Sequence, residues 1–321
     1  MMAAMRVCLM IEGQESVSWN QWVALAQTCE THGLDGLFRS DHYLSVVDDL
    51  ARSSLDAWTT LAGLAAITST LRLGTLVSPA TFRHPSVLAK SVVTVDHISG
   101  GRVELGIGAG WHEPEHVGYG FRFPSTRERF DALAEQMEIV HRSWGEEPFT
   151  FEGRHFRLVD ADPRPKPVQR PHPPLILGGN AGPRSVALAA RWADEYNTVF
   201  ATPQECRERR ARVAEACARE GREPLPFSLM TGVLVGADRD DLHERARRLA
   251  ALRGEPLPGG DPAAWVAALP PSWIVGTAAE AVEQLRALAD AGVERVMLQH
   301  LLHEDLALVA LLGDEVAPAL R

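Results

Sequence analysis

Lysine is nearly absent: apart from Lys90 and Lys166, the strongly basic residues of this chain are all arginine, which we read as genome composition. Net basicity is absent too. A formal charge of -10 over 321 residues gives no support to a nucleic-acid role, which normally needs a basic face, though it leaves room for a local basic pocket. Cysteine is scarce. Cys8, Cys29, Cys206 and Cys217 form no CxxC pair and sit in strand-like or helix-like segments, as buried thiols of a reducing cytoplasm would. No apolar run approaches the ~18 residues of a membrane span, and Arg6–Ile11 reads as a strand rather than the apolar part of a secretory leader. The expectation is a cytoplasmic protein without membrane or nucleic-acid partners. Internal repeats and low-complexity tails are also missing.

What is present is a chain 45% hydrophobic and 23% charged, enough for a large core. Strand-like and helix-like segments alternate throughout. Strands are expected at Val7–Ile11, Gly36–Arg39, Leu71–Val77, Val103–Ile107, Leu175–Leu177, Tyr196–Phe200, Phe227–Val235 and Arg295–Leu298. Ser18 with Gln21, and Thr277 with Glu280, form capping boxes that start helices. Pro85 opens a helix that Gly100-Gly101 closes. Eight such units joined by short connections point to a (β/α)8 TIM barrel, with a doubly wound open sheet as the structural alternative. We expect one domain over residues 1–321, interrupted by excursions at about 112–124, 146–173 and 253–275. The second should hold a hairpin around Glu152-Gly153 and a proline-rich extended run.

In a barrel, chemistry gathers at the C-terminal strand ends. Those ends supply Glu12, Asp41-His42, Ser78, Trp111-His112, Gly178-Gly179-Asn180, Asn197-Thr198, Thr231 and Gln299-His300. Each taken singly also fits a solvated loop residue; the set gains weight from sharing one predicted face. His42 titrates near neutrality and suits a proton donor beside a reacting carbon; the competing reading has Asp41 capping a helix and His42 packing on the rim. Gly106, Gly108 and Gly110, around Ala109 and ahead of Trp111, mimic a dinucleotide fingerprint without the clean helix that motif requires. Their bare backbone would let a flat ring approach closely. Gly178-Gly179-Asn180, followed by a helix opened by Pro183, offers N–H groups and a helix dipole to a phosphate, with Arg184 placed to add charge. Arg83 and His84 fit either an anion contact or a plain surface role. His112-Glu113-Pro114-Glu115-His116 matches the HExxH zinc pattern, but Pro114 intervenes and no third ligand stands out, so no metal is expected.

Five stretches taken together resemble the luciferase-like oxidoreductase superfamily of bacterial luciferase and the deazaflavin-dependent dehydrogenases and reductases. They are Ser40-Asp41-His42-Tyr43, Leu73–Val77, Ile98–Trp111, Pro165–Gln169 and Leu177–Asn180. The resemblance spans essentially the whole chain and implies a flavin-type ring across the barrel mouth. It is nearest to the coenzyme F420-dependent class, with FMN as the alternative cofactor. It implies Asp41 and His42 as catalytic residues near the ring, and a bulge, often with a non-prolyl cis peptide, at Leu76-Val77-Ser78 behind it. It places Gly108, Ala109, Gly110 and Trp111 against the cofactor, and Gly178, Gly179 and Asn180 on its phosphate. Sugar-phosphate dehydrogenases of the class carry a Glu where this chain has Trp111; His112, Glu113 and Glu115 are the nearest substitutes. Glu195 stands where the family usually has glycine. The resemblance implies a small-molecule substrate and a homodimer. Three readings follow: an F420-dependent oxidoreductase moving hydride, an FMN-dependent two-component monooxygenase fed by a separate reductase, and a non-catalytic flavin-binding protein.

Overall fold

Eight parallel strands close into a ring in this computed structural model, which describes residues 4–47 and 51–321. They are β1 (Arg6–Ile11), β2 (Gly36–Arg39), β3 (Arg72–Thr75), β4 (Val103–Gly108), β5 (Leu175–Gly178), β6 (Glu195–Val199), β7 (Phe227–Gly236) and β8 (Arg295–Gln299). Each pairs with the next. The ring closes where Cys8 of β1 sits beside Met297 of β8 on one side and Gly36 of β2 on the other. Both faces of these strands are covered, which is why they read as near-continuous apolar runs rather than as alternation.

The outer strand faces and the inner helix faces form the main core, with Leu9, Leu37, Leu105 and Leu298 among its members. Inside the ring, Cys8, Met10, Phe38, Leu76, Ile176, Met230 and Met297 pack together, so the interior is filled rather than open. Gly74 makes this possible: a Cβ there would lie 2.6 Å from the Phe38 ring. At the N-terminal pole, Arg295 pairs with Glu104 at 2.8 Å and Glu195 at 2.6 Å, and Arg72 also pairs with Glu104. Buried charges survive there because each has a partner of opposite sign. Glu195 therefore faces the floor of the barrel, at the opposite pole from the glycine turn after β5.

Local signals place the helices. Ser18, Ser125, Thr202 and Thr277 each make a full capping box with the residue three positions on. Pro85 and Pro183 stand in the first turn of their helices, and Gly100 adopts a left-handed cap at φ 65°. The third strand is shorter than expected. It stops at Thr75, a cis peptide joins Leu76 to Val77, and Ser78-Pro79 pairs afresh with β4. The hairpin appears as Phe149–Glu152 against Arg157–Ala161. The third excursion holds a short helix, Pro262–Ala267, and a strand the sequence does not advertise, Ile274–Thr277. That strand pairs with Val233–Gly236 at the far end of β7, outside the ring. Among the described residues no helix is long and apolar enough to cross a membrane.

Candidate active site

Residue His42 lies just past the C-terminal end of β2, its side chain 12% exposed. Its Nδ1 lies 2.7 Å from Oε1 of Glu115, and the other Glu115 oxygen accepts the backbone N–H of Tyr43 at 3.0 Å. With Nδ1 engaged by a carboxylate, Nε2 is the ring nitrogen still open to another hydrogen bond. Burial is the largest single influence on His42 and lowers its pKa. The hydrogen bond and charge of Glu115, with help from Glu12 and Asp41, more than offset it, so the pKa is raised above the ordinary histidine value. A buried imidazole thus holds its proton more tightly than one in water.

Glu115 belongs to the short helix Glu113–Tyr119, inside the first excursion. An aromatic stack fixes that helix over the mouth: Phe82 stacks on Tyr43 and on Phe121 at 5.0 Å each, and Tyr119 lies 5.2 Å from Tyr43. His116 Nδ1 is 2.7 Å from the His112 carbonyl, which makes it the donor, and Nε2 then accepts from Thr81 Oγ1 at 2.7 Å. Both ring nitrogens of His116 are engaged by the protein. Among the described residues no cluster of three or more metal-binding side chains forms. The HExxH match is thus accounted for by packing: it positions a carboxylate.

Asp41 points elsewhere. Its carboxylate accepts Ser78 Oγ at 2.6 Å and both arms of Arg83, at 2.5 and 3.1 Å. Arg83 also reaches Asp56 at 2.7 Å and Tyr43 Oη at 3.0 Å. Arg83 is therefore an internal clamp, neither a surface residue nor an anion contact. Asp41 does not cap a helix; it is a fixed buried counterion that ties the end of β2 to the bulge at Ser78. Trp58 Nε1 donates to the same Ser78 hydroxyl at 3.0 Å, which completes the knot.

Val77, just after the cis bond, occupies the space the glycines leave. A Cβ at Gly108 would lie 2.8 Å from its Cγ2, and Cβ atoms at Gly106 and Gly178 would come within 3.2 and 3.0 Å of its Cγ1. The glycine run of β4 therefore makes room for a valine, which stays half-buried at the mouth. Ala109 is partly buried against the main core. Gly110 has φ 79°, a conformation glycine adopts at little cost, and its carbonyl accepts Arg129 Nε at 3.2 Å. Trp111 is 62% exposed at the rim, its ring 5.6 Å from that of His42.

At the turn after β5, the Gly179 N–H donates to the Asn197 carbonyl at 3.0 Å and the Ala181 N–H to Tyr196 Oη at 2.8 Å. Those two amides are spoken for. Helix Pro183–Trp192 has no side-chain cap, however, which leaves first-turn amides and the positive end of its dipole for an anion. Arg184 is held by Asp131 and stacks over Phe130, so it does not supply the expected charge. Arg209 also lies at this turn, 3.3 Å from Asn180 Oδ1, 2.8 Å from Thr198 Oγ1 and 3.5 Å from Glu205 Oε1, only 15% exposed. Nothing in the sequence distinguishes Arg209 from its neighbours Arg207, Arg210 and Arg212.

A filled barrel with a bulge at Leu76–Val77, a carboxylate-held histidine and an uncapped helix at the turn after β5 defines the luciferase-type class of (β/α)8 enzyme. The sequence signature of the luciferase-like monooxygenase family matches residues 5–295. The chain belongs to that family and is an oxidoreductase of the luciferase-like class. An uncharacterized protein of Mycobacterium tuberculosis is 32% identical over 250 residues, 73% of this chain and 79% of the relative. The F420-dependent glucose-6-phosphate dehydrogenase of Nakamurella multipartita is 33% identical over 231 residues, 71% of this chain and 59% of that enzyme. Among solved structures, an F420-dependent secondary alcohol dehydrogenase in complex with an F420-acetone adduct superposes with a TM-score of 0.81 at 23% identity, over 99% of both chains. The oxygenating constituent of 3,6-diketocamphane monooxygenase from Pseudomonas putida, in complex with FMN, gives 0.76 at 20% identity, over 98% of both. At these identities the structural likeness carries the fold alone.

Proposed function

We propose that this chain is a deazaflavin (F420)-dependent oxidoreductase that moves hydride between its cofactor and a small organic substrate, with His42 handling the proton. The observation that carries this reading is the His42–Glu115 pair. Hydride arriving at a carbonyl carbon needs a proton at the oxygen, and a histidine with a raised pKa at the barrel mouth is suited to deliver it. Bound in the mouth, the cofactor would supply the carbon that accepts or gives the hydride.

The residues present fit such a group. Val77 would back the ring, with Gly108, Ala109, Gly110 and Trp111 along one side of the mouth. Asn180, the opening turn of helix Pro183–Trp192 and Arg209 would hold a phosphate. Asp41, Ser78 and Arg83 fix the positions of His42 and of the bulge without touching the substrate. Two relatives, 33% and 38% identical, are named for F420, which supports the deazaflavin over FMN.

The second reading is an FMN-dependent monooxygenase served by a separate reductase. The FMN-bound barrel among the structural neighbours favours keeping it. Titration of the apoprotein with F420 and with FMN, each oxidised and reduced, separates the two. Tight F420 binding with weak FMN binding is expected. The reverse order would replace hydride transfer with oxygen chemistry on reduced flavin, and tight binding without turnover of any substrate would leave a cofactor carrier.

A further inference from the structure

A cavity of about 550 Å³ opens beside the mouth, between the end of helix Arg239–Leu252 and the segments that follow β1, β2 and β8. Leu252 and Leu301 with Val46 and Val47 give it an apolar wall. Its charged groups are largely matched among themselves. Arg52 holds Glu15 at 2.6 Å, and Arg253 holds Glu255 at 2.7 Å. Glu15 also accepts Ser45 Oγ at 2.8 Å and the Val46 N–H at 3.1 Å, so that pair is firmly seated.

Glu12 is different. Its two oxygens accept only amides, from Gln299 at 2.5 Å and Gln14 at 2.9 Å, and no cation pairs with it among the described residues. Each oxygen keeps a lone pair for a further donor. His303 also lines the cavity. Its Nε2 is shielded from solvent and has no partner among the described residues, and burial pushes its pKa down to about 4, so it adds no positive charge at neutral pH. Gln14 joins Glu12 to the Ser40 hydroxyl, two residues before His42, so the polar end of the cavity adjoins the strand end that carries the proton donor.

Resting on the hydride-transfer reading, we propose that the substrate is an uncharged organic molecule with an apolar body and a hydroxyl or carbonyl group, and that phosphorylated and carboxylated compounds are excluded. The cavity offers an apolar wall, one acceptor at Glu12 and one unused imidazole nitrogen at His303. Both of its arginines are already paired. An incoming anion would find no spare cation among the described residues and would lie against the Glu12 carboxylate, where like charge in a poorly solvated site opposes binding. The relative named for glucose 6-phosphate acts on an anion; this chain would not.

The test is calorimetry on the protein with and without F420. Its probes are a panel of uncharged secondary alcohols and ketones headed by hexan-2-ol, the pair glucose and glucose 6-phosphate, and inorganic phosphate. At least one uncharged compound is expected to bind, and glucose 6-phosphate to bind at least about tenfold more weakly than that compound. Glu12→Gln should narrow that ratio, because it removes the unpaired charge at nearly constant size, keeping one of the two amide contacts and giving up the other. Glucose 6-phosphate binding as tightly as the best uncharged compound would overturn the proposal, and so would failure of every uncharged compound. A ratio unmoved by Glu12→Gln would overturn the role given to Glu12. Failure of F420 itself to bind is read in the same experiment and counts against the hydride-transfer reading alone, since the charge preference of the cavity is measured in the cofactor-free arm as well.

Discussion

The imidazole of His42 and the carboxylate of Glu115 meet at 2.7 Å although 73 residues separate them along the chain. Burial opposes the charged imidazole, and Glu115 is the main reason the charged form wins. Because the folded-state pKa is raised, this pair contributes stability that is fully present below the unfolded value of about 6.5 and is lost as pH rises through the folded value. Glu115→Gln keeps the shape and removes the charge. The His42 pKa, followed by NMR titration of its ring protons, should fall relative to wild type. The inflection of the pH–rate profile should move to lower pH with it, whichever direction of turnover is assayed. An unmoved inflection would mean that His42 is not the group titrating in turnover. His42→Asn should reduce turnover by about 10²–10⁴-fold while leaving cofactor binding largely intact.

Arg83 clamps Asp41, Asp56 and the Tyr43 hydroxyl at once. Removing it leaves Asp41 buried without a counterion, so Arg83→Ala should destabilise the fold by about 3–5 kcal/mol in urea unfolding. Adding Asp41→Asn neutralises the orphaned carboxylate and should recover a substantial part of that loss. If the double variant were as unstable as the sum of the single variants, the two residues would not be coupled and Asp41 would be available for chemistry.

How far the sequence discloses this molecule depends on the range of the interaction. Barrel strands announce themselves through buried apolar runs, and helix starts through capping boxes confined to four residues, as at Ser18 and Thr277. Strand Ile274–Thr277 does not, because its order comes from pairing with an overhang of β7 rather than from its own four residues. The strand ends put His42, Ser78 and Gly178 at one mouth, but partners escape local reading. Glu115 stood out only as a nearby acid, Arg83 gave no sign that it would be internal, and the glycines of β4 gave no sign that Val77 would fill them. Arg184 looked like the phosphate cation because it follows the glycine turn, and Asp131 on another helix cancels it.

Val77 and Gly108 are shaped to one another. A methyl at position 108 would lie 2.8 Å from Val77 Cγ2, so Gly108→Ala should cost about 1–3 kcal/mol, the range for overpacking, and weaken cofactor binding as Val77 is pushed. The combination Gly108→Ala with Val77→Ala removes the conflict and should regain most of the stability in thermal unfolding. Recovery of stability without recovery of cofactor binding would identify the Val77 side chain as the surface that supports the ring. A Gly108→Ala protein as stable as wild type would show that the valine moves aside without cost.

Arg209 lies beside the turn that leads into the uncapped helix Pro183–Trp192, reaching Asn180 Oδ1 and Thr198 Oγ1. If it meets a phosphate, the contact is a charge-assisted hydrogen bond of about 1.5–3 kcal/mol, so Arg209→Ala should weaken F420 binding by roughly 10–100-fold. The phosphate-free deazaflavin riboside provides the control. Its affinity should be nearly the same for wild type and variant, since it presents no anion to position 209. Arg184→Ala should change neither affinity much, because Arg184 is already committed to Asp131. Raising the salt concentration should weaken wild-type F420 binding more steeply than that of Arg209→Ala. Equal losses for the phosphorylated and phosphate-free forms would make Arg209 a structural brace of the turn, and a loss at Arg184 instead would return the phosphate to the position the sequence first pointed to.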